Sequence, residues 1–166
     1  MRPFNPRLWA SFAAFAAAGL AGCTTTHIAP PAPAVLSDAS KNWFYAPASK
    51  DEPAKLAYGQ PNSDDIDLML WCAAARRQVQ FAPFDPDDAT PKHMVVASGG
   101  LTLDLPIKPD KRLGPVGTVP LDAALLAAFR ADGRLRMTLD DHPPLDLNAK
   151  PPEGPKQVQS FFGVCK

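Results

Sequence analysis

The sequence predicts an α+β domain: a mainly antiparallel β-sheet with two packed helices, joined by a disulfide. Short segments with alternating apolar and polar residues recur along the chain, as expected for strands with one buried face. Glycines and prolines separate them, and the 20 prolines among 166 residues, about 12% against a usual ~5%, exclude a helical bundle. Only two stretches repeat apolar residues at helical spacing, which predicts two helices.

The predicted strands begin at Asn42, and the clearest alternation runs from Ile66 to Cys72. Two later segments flank Ser98-Gly99-Gly100 and predict a hairpin, because glycine adopts the positive φ of a tight turn. The segment 116–119 lies between two prolines, which is typical of an edge strand. The complete set of predicted strands is 42–45, 55–59, 66–72, 78–81, 93–97, 101–105, 116–119 and 134–140.

The two predicted helices span about 121–131 and 156–165. The first ends before Gly133, the usual helix-terminating residue at the C′ position. The second repeats apolar residues at i, i+3, i+4 and i+7, namely Val158, Phe161, Phe162 and Cys165. We expect both apolar stripes to pack against the sheet.

Residues 1–22 have the layout of a secretory signal peptide, with a basic start and an apolar run of roughly 14 residues, too short to span a bilayer. The run ends in Leu20-Ala21-Gly22-Cys23. This tetrapeptide resembles the lipobox of bacterial lipoproteins, and the resemblance covers only the first 23 residues. It implies that a diacylglyceryl group is attached to the Cys23 thiol, that the signal is cleaved before it, and that the new amine is acylated. The alternative is an ordinary cleaved signal with an incidental cysteine.

The same resemblance implies a location in the cell envelope. Acyl chains on Cys23 anchor a protein to a membrane, and the following Thr24 is not the aspartate that retains enterobacterial lipoproteins in the inner membrane. We therefore expect an outer-membrane lipoprotein facing the periplasm. Cleavage removes two arginines and no acid, which leaves 15 basic and 17 acidic residues. This balance argues against nucleic acid as a partner.

The mature chain divides into a tether and one domain. Residues 23–40 comprise the lipidated cysteine and a Pro-rich tether, in which 29–34 favours polyproline II. The whole tether, 24–40, would reach up to roughly 50 Å. Residues 41–166 form a single predicted globular domain. Cys72 and Cys165 remain in it, each on an apolar face, and export favours a disulfide between them. The alternative, a catalytic thiol, lacks a convincing histidine partner.

Catalytic motifs are scarce. The chain has no GxSxG, HExxH, P-loop or Rossmann pattern, and only His93 and His142 lie in the domain. Asp140, Asp141 and His142 are the residues that a small hydrolase or metal-assisted enzyme would use, but a solvated turn is the interpretation we adopt. The acidic runs 64–67 and 85–88 similarly read as loops rather than calcium sites. We expect no catalytic residue, metal or cofactor.

Aromatic residues are the best candidates for binding. Trp43, Tyr45 and Trp71 belong to residue types common in binding hot spots, and alternation puts Trp71 opposite Cys72 on its strand. The alternative is a second, minor core. The sequence thus predicts a non-catalytic envelope lipoprotein with a binding, structural or accessory domain and an envelope protein as partner. A small hydrolase and a small-ligand carrier remain the alternatives.

Overall fold

The computed structural model describes residues 35–36, 38–84 and 91–166. The helices among them are α1 (Ala124–Asp132) and α2 (Glu153–Val164), and Ala74–Arg76 forms a 3-10 turn. The strands are β1 Val35–Leu36, β2 Asn42–Ala46, β3 Lys55–Gly59, β4 Ile66–Ala73, β5 Gln78–Pro83, β6 His93–Ser98, β7 Leu101–Pro106, β8 Lys108–Asp110, β9 Gly114–Pro120, β10 Arg134–Leu139 and β11 Leu145–Asn148.

These strands form two sheets rather than the single sheet expected. The five-stranded sheet has the order β1-β11-β10-β6-β7, and the six-stranded sheet has the order β2-β3-β4-β5-β9-β8. Neighbouring strands pair antiparallel except β1, which runs parallel to β11. The predicted α+β class, with antiparallel strands, two helices and a disulfide, is confirmed. Alternation identifies strands but carries no information on which strands pair, so it could not separate the two sheets.

The boundaries differ from the predicted ones in ways that have local causes. Helix α2 begins at Glu153, three residues early, because Pro155 is tolerated in a first turn whose N–H groups have no helical partner. Helix α1 ends as predicted: Gly133 adopts φ 69° and its N–H donates to the carbonyl of Phe129. The predicted edge strand 116–119 is β9, which lies between β5 and β8. Its prolines stand near its ends, so they do not interrupt the central pairs with β5.

The two helices cover different sheets and share one core. Helix α1 packs on β6 and β7, whereas α2 packs on β2 and β3, and the helices also touch each other. Cys72 on β4 and Cys165 after α2 form the predicted disulfide, with their Cα atoms 5.5 Å apart. All four apolar positions predicted for the second helix are buried. The disulfide therefore joins α2 to the sheet that it covers.

The predicted signal 1–22, Cys23 and the tether residues 24–34 lie outside the described residues, as does the acidic run 85–88. The described part of the tether contributes to the fold, because Val35 and Leu36 pair with Leu145 and Asp146 of β11. No helix in the described ranges is long and apolar enough to cross a membrane.

Candidate functional site

The six-stranded sheet has an inner face, which packs on the core, and an outer face, which carries neither helix. Alternation assigns the residues: Leu56, Leu70 and Phe81 point inward, so their chain neighbours point outward. The outer face includes Phe44, Lys55, Ala57, Met69, Trp71, Gln80, Ala82 and Thr118.

Strand register arranges this outer face in two adjacent rows. The first row is apolar, because Phe44, Ala57, Met69 and Ala82 are successive partners across β2, β3, β4 and β5. Its alanines are buried and its two large side chains are half-buried. The second row crosses β3, β4, β5 and β9 and contains Lys55, Trp71, Gln80 and Thr118. An apolar row therefore lies directly beside a row of hydrogen-bonding side chains.

Trp71 is the central residue of the second row. The ammonium nitrogen of Lys55 lies 4.5 Å from its ring centroid, a cation–π contact, and pairs with Glu52 at 2.6 Å. The indole N–H of Trp71 is shielded from solvent and has no hydrogen-bond partner among the described residues. A buried donor without an acceptor destabilises a fold by about 1–3 kcal/mol, so this one marks a place where an acceptor is missing.

A cavity of about 160 Å³ opens beside Trp71. Arg76 reaches it from the 3-10 turn after β4, and Arg112 reaches it from the turn between β8 and β9. Asp110 also lines it, but its carboxylate accepts hydrogen bonds from the backbone N–H groups of Arg112 (2.8 Å) and Leu113 (3.1 Å). These bonds, with the charges of Arg76 and Arg112, lower the pKa of Asp110 from its ordinary value. The cavity thus contains two guanidinium groups and one ionised, internally bonded carboxylate.

The structure places the three predicted binding aromatics in different environments. Trp43 is only 2% exposed, and its indole N–H donates to the carbonyl of Gly133 at 3.2 Å, so it is a satisfied core residue and offers no binding surface. Tyr45 is half-buried and packs against the same core. Trp71 alone lies on the outer face. Alternation along β2 puts Trp43 and Tyr45 on one face and Phe44 on the other, and only the packing shows which face is buried.

The outer face also contains residues that sequence reasoning missed as site residues. Met69 has the same alternation as Trp71 on β4, so it could have been found from the strand alone. Lys55, Gln80 and Arg112 come from other segments of the chain. Only strand pairing and the β8–β9 turn bring them to Trp71, and no local pattern signals that.

The hydrolase candidates are arranged as a structural turn. The carboxylate of Asp140 accepts hydrogen bonds from the backbone N–H groups of Lys92 and His93, at 2.9–3.2 Å, which lowers its pKa. Asp141 and His142 are exposed, and the backbone N–H of His142 donates to the carbonyl of Leu139. Across the described ranges, no three His, Cys, Asp or Glu side chains are grouped to hold a metal.

A larger cavity of about 590 Å³ lies over the five-stranded sheet, lined by residues of β6, β10 and β11. Its central charges neutralise each other: Arg136 makes two hydrogen bonds to Asp146, at 2.7 and 3.0 Å. This pairing also raises the pKa of Arg136. The larger volume of this cavity therefore does not make it the better candidate for a binding site. The smaller cavity is lined by Trp71, whose shielded indole N–H has no acceptor among the described residues.

Comparison with protein-family models, with curated proteins and with solved structures finds no match.

Proposed function

We propose that this protein is a lipid-anchored protein of the bacterial envelope whose domain binds a partner through the outer face of the six-stranded sheet and catalyses no reaction. The observation that carries the binding role is Trp71, whose shielded indole N–H lacks an acceptor beside an apolar row of side chains. Tryptophan flanked by partly exposed apolar groups is typical of binding hot spots.

The disulfide supports the envelope location. Cys72 and Cys165 close a loop with a sequence separation of 93, and such bonds persist in oxidising compartments but are rare in the cytosol. Together with the lipobox-like Leu20-Ala21-Gly22-Cys23, this favours export followed by lipidation. The two signals are independent, because one lies in the leader and the other in the folded domain.

Strand β1 shortens the proposed tether. Because Val35 pairs with the sheet, only residues 24–34 separate the lipidated Cys23 from the fold. A fully extended chain of that length spans at most about 36–40 Å, less than the roughly 50 Å expected for a tether ending at residue 40. The domain would therefore act close to the membrane that anchors it.

The proposal is tested by photo-crosslinking in intact cells. A photoreactive residue replaces Phe44 on the outer face, and a matched control replaces Thr102, an exposed residue of β7 on the other sheet. We expect position 44 to capture one envelope protein and position 102 to capture none, because only the first lies on the outer face that carries Trp71. Equal capture from both positions, or none from position 44, would contradict the binding role.

The same cells test the anchor when Cys23→Ala is introduced into the position 44 variant. We expect the parent to stay with membranes after an alkaline wash, and the variant to be released or to remain unprocessed, because alanine has no thiol for the thioether. A Cys23→Ala protein that is processed and still resists the wash would contradict lipid anchoring. Thr24→Ala, which leaves the tetrapeptide intact, is the control.

A further inference from the structure

We propose that the cavity beside Trp71 is a binding site for a single carboxylate group carried by the partner. This inference rests on the proposed binding function and names the chemistry of the group that the outer face recognises. Four side chains define this carboxylate site, namely Trp71, Arg76, Gln80 and Arg112.

Hydrogen-bond donors outnumber acceptors around the cavity. The Trp71 indole N–H has no acceptor, and the side chains of Arg76 and Gln80 make no hydrogen bond or ion pair with any described residue. Arg112 makes one hydrogen bond from its side chain, to the carbonyl of Asp51 at 3.2 Å. Asp110, the one acid among the lining residues, accepts both backbone N–H groups at Oδ1, so its Oδ2 and the amide oxygen of Gln80 remain as side-chain acceptors. Donors still outnumber acceptors in the lining, and a carboxylate brings two oxygens and no donor.

The charges around the cavity favour one carboxylate. Two guanidinium groups face one carboxylate, so the lining carries a net charge of about +1 when Asp110 is ionised. Lys55 adds little, because its ammonium group is paired with Glu52. A singly charged carboxylate neutralises this lining, whereas a phosphate dianion would exceed it. Guanidinium groups also match the planar geometry of a carboxylate.

Access to the Trp71 indole nitrogen requires a side-chain movement. The indole nitrogen is shielded, so an oxygen reaches it only after a neighbouring side chain moves. Arg112 is exposed and one hydrogen bond holds its side chain, so we expect it to be the side chain that moves. A carboxylate oxygen that accepts from Trp71 recovers the free energy lost by the unpaired donor.

The carboxylate has two conceivable sources, a free small acid or the end of a peptide chain. The apolar row of Phe44 and Met69 next to the site favours a peptide whose last residue is apolar, because that side chain would lie against the row. Acetate represents the free acid in the test, and N-acetyl-alanyl-leucine represents the peptide. N-acetyl-alanyl-leucinamide has the same shape as the peptide without its charge.

The experiment follows indole N–H signals by NMR in the full-length lipidated protein, labelled at tryptophan and purified in detergent micelles. Two signals are expected once the leader containing Trp9 is cleaved. On addition of N-acetyl-alanyl-leucine, we expect a saturable downfield shift for Trp71 and none for Trp43, whose N–H is already bonded to Gly133. Acetate should act at higher concentration, and the amide should have no effect.

Variants test whether binding depends on the two arginines of the carboxylate site or only on positive charge at the protein surface. Arg76→Gln and Arg112→Gln should each weaken binding at least about tenfold, because each removes a charged donor. Arg130→Gln, an exposed arginine on α1 outside the site, should bind as the parent does.

Three results would overturn the carboxylate site: no saturable shift of Trp71, an equal shift with the amide, or tighter binding of inorganic phosphate. Because the titration uses purified protein, its failure would leave the crosslinking result from cells intact. Conversely, a failed crosslink from position 44 would leave a measured carboxylate affinity standing, so the two proposals fail separately.

Discussion

Trp43 and Trp71 lie on opposite faces of the same sheet and show how differently one residue type is used. Trp43 is buried among Tyr58 and Phe129, with ring centroids 5.0 Å from each, and its indole N–H donates to Gly133. Trp71 has a lysine over its ring and a shielded indole N–H without an acceptor. On the inner face the core supplies the acceptor, whereas on the outer face no described residue supplies one.

The comparison teaches that burial alone does not separate structural from functional aromatics. Both indole nitrogens are shielded from solvent, and both rings stand on paired strands. The difference is whether the polar atom is satisfied by the fold itself. A satisfied tryptophan contributes to stability, whereas an unsatisfied one lowers it, and the proposed binding role would supply the missing acceptor.

The largest expected loss of stability comes from removing the disulfide on the inner face. Cys72→Ala combined with Cys165→Ala should lower the free energy of unfolding by about 4–5 kcal/mol, because a loop of this length is no longer closed in the unfolded chain. Urea unfolding monitored by circular dichroism measures the loss. The parent under reducing conditions should show a similar loss, and an unchanged midpoint in both would refute a stabilising disulfide.

The second test compares the two tryptophans directly. Trp43→Phe should lower the free energy of unfolding by about 2–3 kcal/mol, because it leaves a cavity and removes the hydrogen bond to Gly133. Trp71→Phe should change it by less than about 1 kcal/mol, since the lost cation–π contact is offset by removal of an unpaired donor. Equal losses of unfolding free energy in the two variants would contradict the difference between Trp43 and Trp71.

The smallest expected effect on stability comes from Asp140, which directly follows β10 and whose carboxylate is hydrogen-bonded. The backbone N–H groups of Lys92 and His93 lower the pKa of Asp140 below its ordinary value of 3.8. The ionised carboxylate therefore stabilises the fold at pH values above about 3.8. This stabilisation disappears as the pH falls through the lowered pKa. Asp140→Asn should therefore be less stable than the parent at neutral pH, with the difference vanishing in strong acid. Urea midpoints across that range measure it. A difference that persists in acid would contradict this account.

Local sequence patterns predicted most of the fold and part of the site. Alternation located the segments from 42–45 to 134–140, and helical spacing located the buried stripe of α2. Strands β1, β8 and β11 were missed. They are two to four residues long, and β8 contains Pro109, so their strand character comes from pairing and not from local pattern.

The sequence by itself determined the α+β class, which follows from the periodicity of short segments, and the disulfide partners, which are the two cysteines on apolar faces of the predicted domain. It also put Trp71 on the strand face opposite Cys72. It also predicted a lipid anchor at Cys23, which stays a prediction. Only the tertiary structure decided that Trp43 is core and Trp71 is not, and only it joined Arg76, Gln80 and Arg112 around one cavity. The physical reason is that burial and hydrogen-bond satisfaction depend on neighbours distant in the chain, which no local pattern encodes.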